Sequence, residues 1–281
     1  MADKIGVITG CSSGFGLLTS IELAKAGFQV VATMRNLGRR GDLDQAAKAA
    51  GVEGKIDVRA LDVTAFDAMP EFVEGVVRDY GRIDVLVNNA GFAVGGFGED
   101  VSLDELRLQF ETNFFGAVAM TKAVLPTMRK QWAGHIIQMS SIGGLQGAIS
   151  VSSYSASKHA LEGWSESLRL EVNALGIKVV LVEPGAFDTG VWTRGAVMGK
   201  EAKKQSSPNF QRSLRMRSAI EKIPKADPIE VARKIVAIAQ DPSPKLRYLV
   251  GRDARIQLAM KRLLPWKWNE KIIANYLKID G

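Results

Sequence analysis

The sequence predicts a single-domain, Rossmann-type doubly wound α/β architecture with a parallel sheet of about seven strands. Two observations predict it. Short β-branched apolar runs alternate with longer helical patterns through most of the 281 residues. The runs are also continuously apolar, as in Val179-Val180-Leu181-Val182, which is the pattern of strands covered on both faces.

Taken in order, the strands are Ile5–Thr9, Gln29–Thr33, Lys55–Leu61, Val85–Asn88, His135–Ser140, Lys178–Glu183 and Arg247–Val250. Helices are expected at Gly16–Ala26, Asp42–Ala50, Ala65–Tyr80, Leu103–Met128, Tyr154–Leu175 and Ile229–Gln240. Such alternation implies right-handed crossovers and one open sheet. Two stretches break the rhythm. Gly190–Pro224 leaves the carboxyl end of the sixth strand, where open α/β sheets bind ligands, and is expected to act as a lid. Residues 254–281 form a C-terminal extension containing Leu263-Leu264-Pro265-Trp266-Lys267-Trp268. The division is therefore a catalytic domain over residues 1–253, with the lid at 190–224 inside it, and a tail over 254–281.

Hydrophobic residues make up 46% of the chain and charged ones 24%, a balance suited to a globular protein. The single cysteine, Cys11, cannot form an internal disulfide. With no leader pattern before Ile5 and no apolar run long enough to span a bilayer, the expected location is cytoplasmic. The net charge of +7 is concentrated between Lys200 and Lys225, a segment that carries +6. A solvated loop accounts for this, as does an anionic ligand or membrane surface. Nucleic acid is not expected, because no recognition motif accompanies the charge.

Thr9-Gly10-Cys11-Ser12-Ser13-Gly14-Phe15-Gly16 joins the first strand to the first helix. Glycines at such a turn let a phosphate approach the backbone, and the helix start offers it free N–H groups. In this setting the turn reads as a dinucleotide fingerprint, spaced G-x-x-x-G-x-G instead of G-x-G-x-x-G. Asn88-Asn89-Ala90-Gly91 then closes the fourth strand, and Tyr154-Ser155-Ala156-Ser157-Lys158 opens a helix. With these in order, the chain from Lys4 to about Gly251 resembles the classical short-chain dehydrogenase/reductase family. The glycine turn and Ala32-Thr33-Met34-Arg35 are similar to those of its 17β-hydroxysteroid and retinol dehydrogenase branch.

The resemblance implies a nicotinamide cofactor held by Gly10, Ser12, Ser13, Gly14, Phe15 and Gly16 at the turn and by Asn89, Ala90 and Gly91 beside the adenosine. It further implies Asp62 at the adenine, and Pro184, Gly185 and Thr189 around the nicotinamide. Charge favours NADP(H) over NAD(H). An acid ending the second strand would repel a 2′-phosphate, whereas here that strand ends in Arg35 with Arg39 and Arg40 close behind. Ser13 stands where many NADP-preferring relatives carry a basic residue, and its hydroxyl or that of Ser12 is a candidate donor to the phosphate.

Tyr154 and Lys158, four apart, share a helical face. A free phenol titrates near about 10, too high for a good base at neutral pH, and a neighbouring ammonium lowers it. So tuned, Tyr154 can exchange a proton with a carbonyl or alcohol oxygen. Ser141, thirteen residues before Tyr154, matches the family's catalytic serine, which holds the substrate oxygen; Ser140 should point the other way. Asn113 matches the family's fourth catalytic residue, where it positions a water linking Lys158 to solvent. The resemblance also places Tyr154 and Lys158 at the cofactor. No ligand cluster surrounds His135 or His159, so no metal site is expected.

Phe92, Ala93, Val94, Ser141, Gly143, Leu145, Val151, Phe187, Val191 and Trp192 are expected to wall the substrate pocket. Apolar walls with few polar partners suit a hydrophobic ketone, aldehyde or alcohol. The alternatives are a CoA- or carrier-linked 3-ketoacyl group drawn by the basic lid, and a non-catalytic NADP(H) sensor. The tail is expected to pack over the pocket mouth or a subunit interface, with a membrane surface as the alternative. A homodimer or homotetramer is implied by the resemblance alone.

Overall fold

The computed structural model describes residues 3–189 and 196–277. In chain order its first half comprises β1 (Ile5–Ile8), α1 (Gly14–Lys25), β2 (Gln29–Met34), α2 (Gly41–Ala50), β3 (Ile56–Ala60), α3 (Met69–Tyr80) and β4 (Val85–Asn88). Next come β5 (Ala93–Gly95), α4 (Leu103–Phe110), α5 (Gly116–Gln131), β6 (Gly134–Met139), α6 (Ser152–Val172) and β7 (Ile177–Pro184). The chain closes with β8 (Ala196–Met198), α7 (Phe210–Glu221), α8 (Ile229–Gln240), β9 (Arg247–Val250), α9 (Arg252–Leu263) and α10 (Trp266–Leu277).

Seven strands form one parallel sheet in the order β3-β2-β1-β4-β6-β7-β9. Successive residues of each strand face opposite layers. In β7, Val180 and Val182 join a core with Leu23 of α1 and Ile235 of α8. Ile177 and Val179 join a second core with Met120 and Val124 of α5 and Leu168 of α6. Burying each such side chain contributes about 1.5–3 kcal/mol, so a strand that is apolar at every position is stable only between two helical layers. The order reverses between β1 and β4, and the reversal brings the Thr9–Gly16 turn beside Asn88–Gly91. Ligands of open α/β sheets bind outside the strand ends at such a point.

Three elements differ from the sequence expectation. The helix expected over Leu103–Met128 is interrupted by a π turn at Glu111–Phe115. A π turn adds a residue to one helical turn and rotates the helix beyond it, and such turns recur at functional sites. The stretch expected to act as a lid contains α7 and a strand, β8, that pairs in parallel with β5. Its residues 190–195 lie outside the described residues. The tail is two helices, because Pro265 holds Leu264 in an extended conformation (φ −98°, ψ 139°) between α9 and α10.

Candidate active site

The glycine turn is built by exclusion. Gly10 and Gly14 adopt φ of 74° and 58°, which side chains disfavour. A Cβ on Gly16 would stand 2.3 Å from the Gly10 carbonyl oxygen and 2.5 Å from Nδ2 of Asn89. Asn89 locks the turn from the neighbouring strand by donating Nδ2–H to the carbonyls of Thr9 and Gly10, at 2.9 and 3.0 Å. Thr9 reciprocates, its Oγ1 accepting the amides of Asn89 and Ala90, both at 3.0 Å. A Cβ on Gly14 would meet the Thr189 carbonyl oxygen at 3.2 Å, so the turn also faces the segment after β7. The cradle fits a dinucleotide phosphate: its backbone is approachable, and it opens at the start of a twelve-residue helix. Ser13 ends this cradle without using its side chain as the helix cap. Ser12 and Phe15 are half-buried on the same turn. The Cys11 thiol lies beneath, where burial pushes it up to about 12 and leaves it inert.

At the far edge, Arg35 is exposed just beyond β2. A cleft of about 410 Å³ opens there, lined by Arg35, Leu61, Asp62, Phe72 and Arg78 among others. Burial raises the Asp62 carboxyl, but donation from the Thr64 amide and hydroxyl and the charge of Arg35 outweigh it and hold the group below its ordinary value. Arg40 is drawn away instead, pairing with Asp44 at 2.7 Å.

The four catalytic candidates converge on one place. A Cβ on Gly143 would touch Tyr154 Cε1 at 3.2 Å and Ser141 Oγ at 3.5 Å. A Cβ on Gly91 would meet Asn113 Oδ1 at 3.1 Å and Lys158 Nζ at 3.8 Å. Ser141 caps a short turn after β6, its Oγ accepting the Gly143 amide at 3.0 Å. Ser140 turns to the other side, toward Glu162. Lys158, buried, donates to the Met139 carbonyl at 2.7 Å, with Nζ 5.8 Å from the Tyr154 ring centre. Its burial brings the ammonium down to about 8, partly offset by Glu162.

Tyr154 departs from expectation. Desolvation raises its phenol above the ordinary value, and the hydrogen bond with Ser141 only partly opposes this. Burial of the phenolate's charge outweighs the help from the serine. The charge that would lower this group further must come from what binds beside it.

Asn113 sits inside the π turn at 1% exposure and clamps Phe92, accepting its amide and donating to its carbonyl, each at 3.0 Å. Sequence reasoning missed the partner of this clamp. Gln109, fully buried, accepts the Val94 amide at 2.8 Å and donates to the Phe92 carbonyl. Together they fix Phe92 and the start of β5, which carry three expected pocket residues. No local signal marks Gln109, since its partners lie fifteen or more positions away.

Also missed was Asp253, whose carboxylate accepts the Ala186 amide at 2.7 Å and fills the space a Cβ on Gly185 would need. This explains the glycine of Pro184-Gly185 by packing from across the chain. A third omission is the buried cluster of Glu162, Glu183 and Arg247, with Arg247 Nε 3.1 and 3.4 Å from the two carboxylates. Burial raises both carboxyls, so a proton is retained between them more readily than at a surface acid.

Of the expected pocket residues, Phe92 and Leu145 are half-buried. Val94 and Phe187, also expected there, are buried. Val94 is enclosed in the β5–β8 pair, and Phe187 packs edge-on to Phe15 within the sheet's core, 5.7 Å between ring centres. Val94 is covered because β5 gains a strand partner that the sequence did not reveal, and Phe187 because it bridges to Ala226 and packs on Phe15. Val191 and Trp192 lie outside the described residues. The two histidines bind main-chain carbonyls, His135 that of Asp241 and His159 that of Ser155.

A family model described as short chain dehydrogenase matches residues 4–196. The chain is 41% identical over 280 residues to an uncharacterized oxidoreductase, YusZ, of Bacillus subtilis, covering 99% of each. It is 38% identical to a 3-ketodihydrosphingosine reductase of Bacteroides thetaiotaomicron over 93% of each chain. Human retinol dehydrogenase 8 is 44% identical over 67% of this chain and 60% of its own. Among solved structures, a short-chain dehydrogenase from Streptomyces avermitilis superposes with a TM-score of 0.82 at 32% identity, over 99% of this chain and 98% of that one. ElxO with NADP bound superposes at 0.73 with 26% identity, over 88% of this chain and 96% of its own.

Proposed function

The chain belongs to the short-chain dehydrogenase family, and on that premise we propose that it is an NADP(H)-dependent oxidoreductase interconverting a hydrophobic ketone or aldehyde and its alcohol. The observation that carries the reading is the convergence of Ser141, Tyr154 and Lys158 on the glycines at positions 91 and 143, at the sheet's point of reversal. Hydride transfer is the chemistry that a bound nicotinamide supplies. The residues around Gly10, Gly14 and Gly16 would hold its phosphates.

The chain's own groups manage the proton and the substrate oxygen. Ser141 orients that oxygen and stabilises the charge developing on it. Tyr154 gives the oxygen a proton in reduction and takes one in oxidation. Lys158, one turn along α6 on the same helical face, sets its Nζ 5.8 Å from the Tyr154 ring centre. Asn113, inside the π turn, holds Phe92 in place.

Arg35, exposed beyond β2 with no acid in its place, supports NADP(H), as does the relative solved with NADP. The apolar Phe92 and Leu145, and relatives named for retinol and for a ketosphingoid base, support a lipophilic substrate. The basic lid, with Arg212, Arg215 and Arg217 on α7, supports the second reading, an anionic carrier-linked ketoacyl group. Self-association is proposed through α4 to α6, where Leu108, Phe115 and Leu170 are exposed.

Turnover of NADPH and NADH against parallel panels of hydrophobic and acyl-CoA carbonyls tests these readings. NADPH-dependent reduction of the hydrophobic panel is expected. Selective turnover of the acyl-CoA panel, with KM rising steeply in salt, would install the second reading, and preference for NADH would overturn the assignment of Arg35.

A further inference from the structure

Beyond the catalytic edge, the tail combines apolar exposure with positive charge. Five large apolar side chains are exposed between positions 256 and 272: Ile256, Leu263, Trp266, Trp268 and Ile272. Leu263 is 81% exposed, and the two tryptophans are 62% exposed each. Single exposed apolar residues are normal on a surface, but a cluster of this kind marks an interaction site.

The two helices are anchored on their inner sides. Ala254 of α9 and Asn269 of α10 are buried. At 100° per residue, Ile256, Ala259 and Leu263 fall on the side of α9 opposite Ala254. Trp266 and Trp268 flank Asn269, while Lys267 and Lys271 fall opposite it. Over Arg252–Lys271 there are six cations against two carboxylates. Of the two, Asp253 is engaged by the Ala186 amide and Glu270 by the Trp266 indole. Among the cations, Lys261 donates to the Leu145 carbonyl.

We propose that α9 and α10 dock on an anionic phospholipid bilayer, with Ile256, Leu263, Trp266 and Trp268 entering the headgroup boundary and Arg252, Arg255, Arg262, Lys267 and Lys271 facing lipid phosphates. Charge complementarity selects this occupant over a second copy of the chain. A two-fold contact would set the same basic patch against itself and repel. Tryptophan suits the interface because its ring is apolar and its N–H is not. The helices lie in the plane of the surface: none among the described residues is long and apolar enough to cross a membrane. The inner side of α9 is tied to the loop after Ser141, since Gln146, five residues beyond it, donates to Gln257 at 2.7 Å. This proposal concerns where the chain resides and stands whichever substrate it takes.

Co-sedimentation of the full chain with vesicles tests it, using phosphatidylcholine alone and phosphatidylcholine mixed with phosphatidylglycerol. Binding to the mixed vesicles only is expected, weakening as salt screens the charge. Each cation near an anionic surface multiplies affinity about fivefold. Lys267→Gln with Lys271→Gln should therefore lower binding roughly twenty-fold, and Trp266→Ala with Trp268→Ala at least about tenfold. Circular dichroism melting verifies that each variant is folded. Equal binding to both vesicle types, no binding by the folded wild type, or full binding by the double tryptophan variant would each overturn the proposal. Loss of an oligomer in that variant, without vesicle binding by either chain, would assign the face to a second copy.

Discussion

The catalytic edge and the tail are held together in different ways. At the edge, side chains bond to backbone far away in sequence. Asn89 reaches the Thr9 and Gly10 carbonyls, Asn113 and Gln109 clamp Phe92 and Val94, and Asp253 reaches Ala186. In the lid and tail many polar contacts stay within four residues, as in Lys204–Glu201, Arg217–Glu221 and Trp266–Glu270. Long-range bonds fix a side chain's position to the precision that proton transfer demands. Local pairs stabilise a helix but leave its outer face open to whatever binds. The site's frame is thus tied across the sheet, whereas much of the pairing in the lid and tail is local.

The sharpest way to break this contrast is Tyr154→Phe, which removes only a hydroxyl. Turnover should fall by about 10²–10⁴-fold with little change in melting temperature. A variant with near-normal turnover would show that the proton passes elsewhere.

Next in size is Gly16→Ala. Its methyl would press on the Gly10 carbonyl oxygen and Asn89 Nδ2, and overpacking of this kind costs about 1–3 kcal/mol. Urea unfolding should show that loss together with weakened dinucleotide binding. An unchanged midpoint would mean that the turn is looser than its contacts imply.

A subtler effect comes from Glu183. Its folded carboxyl is raised above the ordinary 4.5 by burial, by repulsion from Glu162 and by their hydrogen bond, against the opposing charge of Arg247. The unfolded chain therefore ionises first as pH rises. Stability should be full below about 4.5 and decline with increasing pH until the buried carboxyl itself ionises. Unfolding measured across mildly acidic to mildly alkaline buffers should show a shallower decline in Glu183→Gln than in the wild type. Parallel slopes would remove the shared proton from the account.

The smallest expected change is in the tail. Trp266→Ala with Trp268→Ala should alter stability in solution by no more than about 0.5 kcal/mol, because both rings are largely exposed already. A large loss in a melting experiment would show that the tail is part of the core and erase the contrast between the regions.

Much of this was legible because it is local. Strand runs, the glycine turn, the Tyr154–Lys158 spacing and the absence of an acid after β2 depend on neighbours within a few positions. All seven strands of the main sheet fall within one or two residues of expectation. Harder to see were features whose cause is distant. Asn113 was marked by resemblance, but the π turn around it and the role of Gln109 depend on the backbone of Phe92 and Val94. Val94 and Phe187 read as pocket wall because apolar residues near a strand end suit either a pocket or a core.

The sequence by itself determined the two-sided sheet, the phosphate cradle and the spacing of the catalytic helix. Period, apolar content and glycine placement act on the chain directly, wherever it folds. Tertiary structure alone decided that the Tyr154 phenol is raised, that burial raises the Glu162 and Glu183 carboxyls against the pull of Arg247, and that Asp253 stands where Gly185 has no side chain. Those outcomes depend on desolvation and on groups up to 85 residues apart, which meet only once the sheet has closed over them.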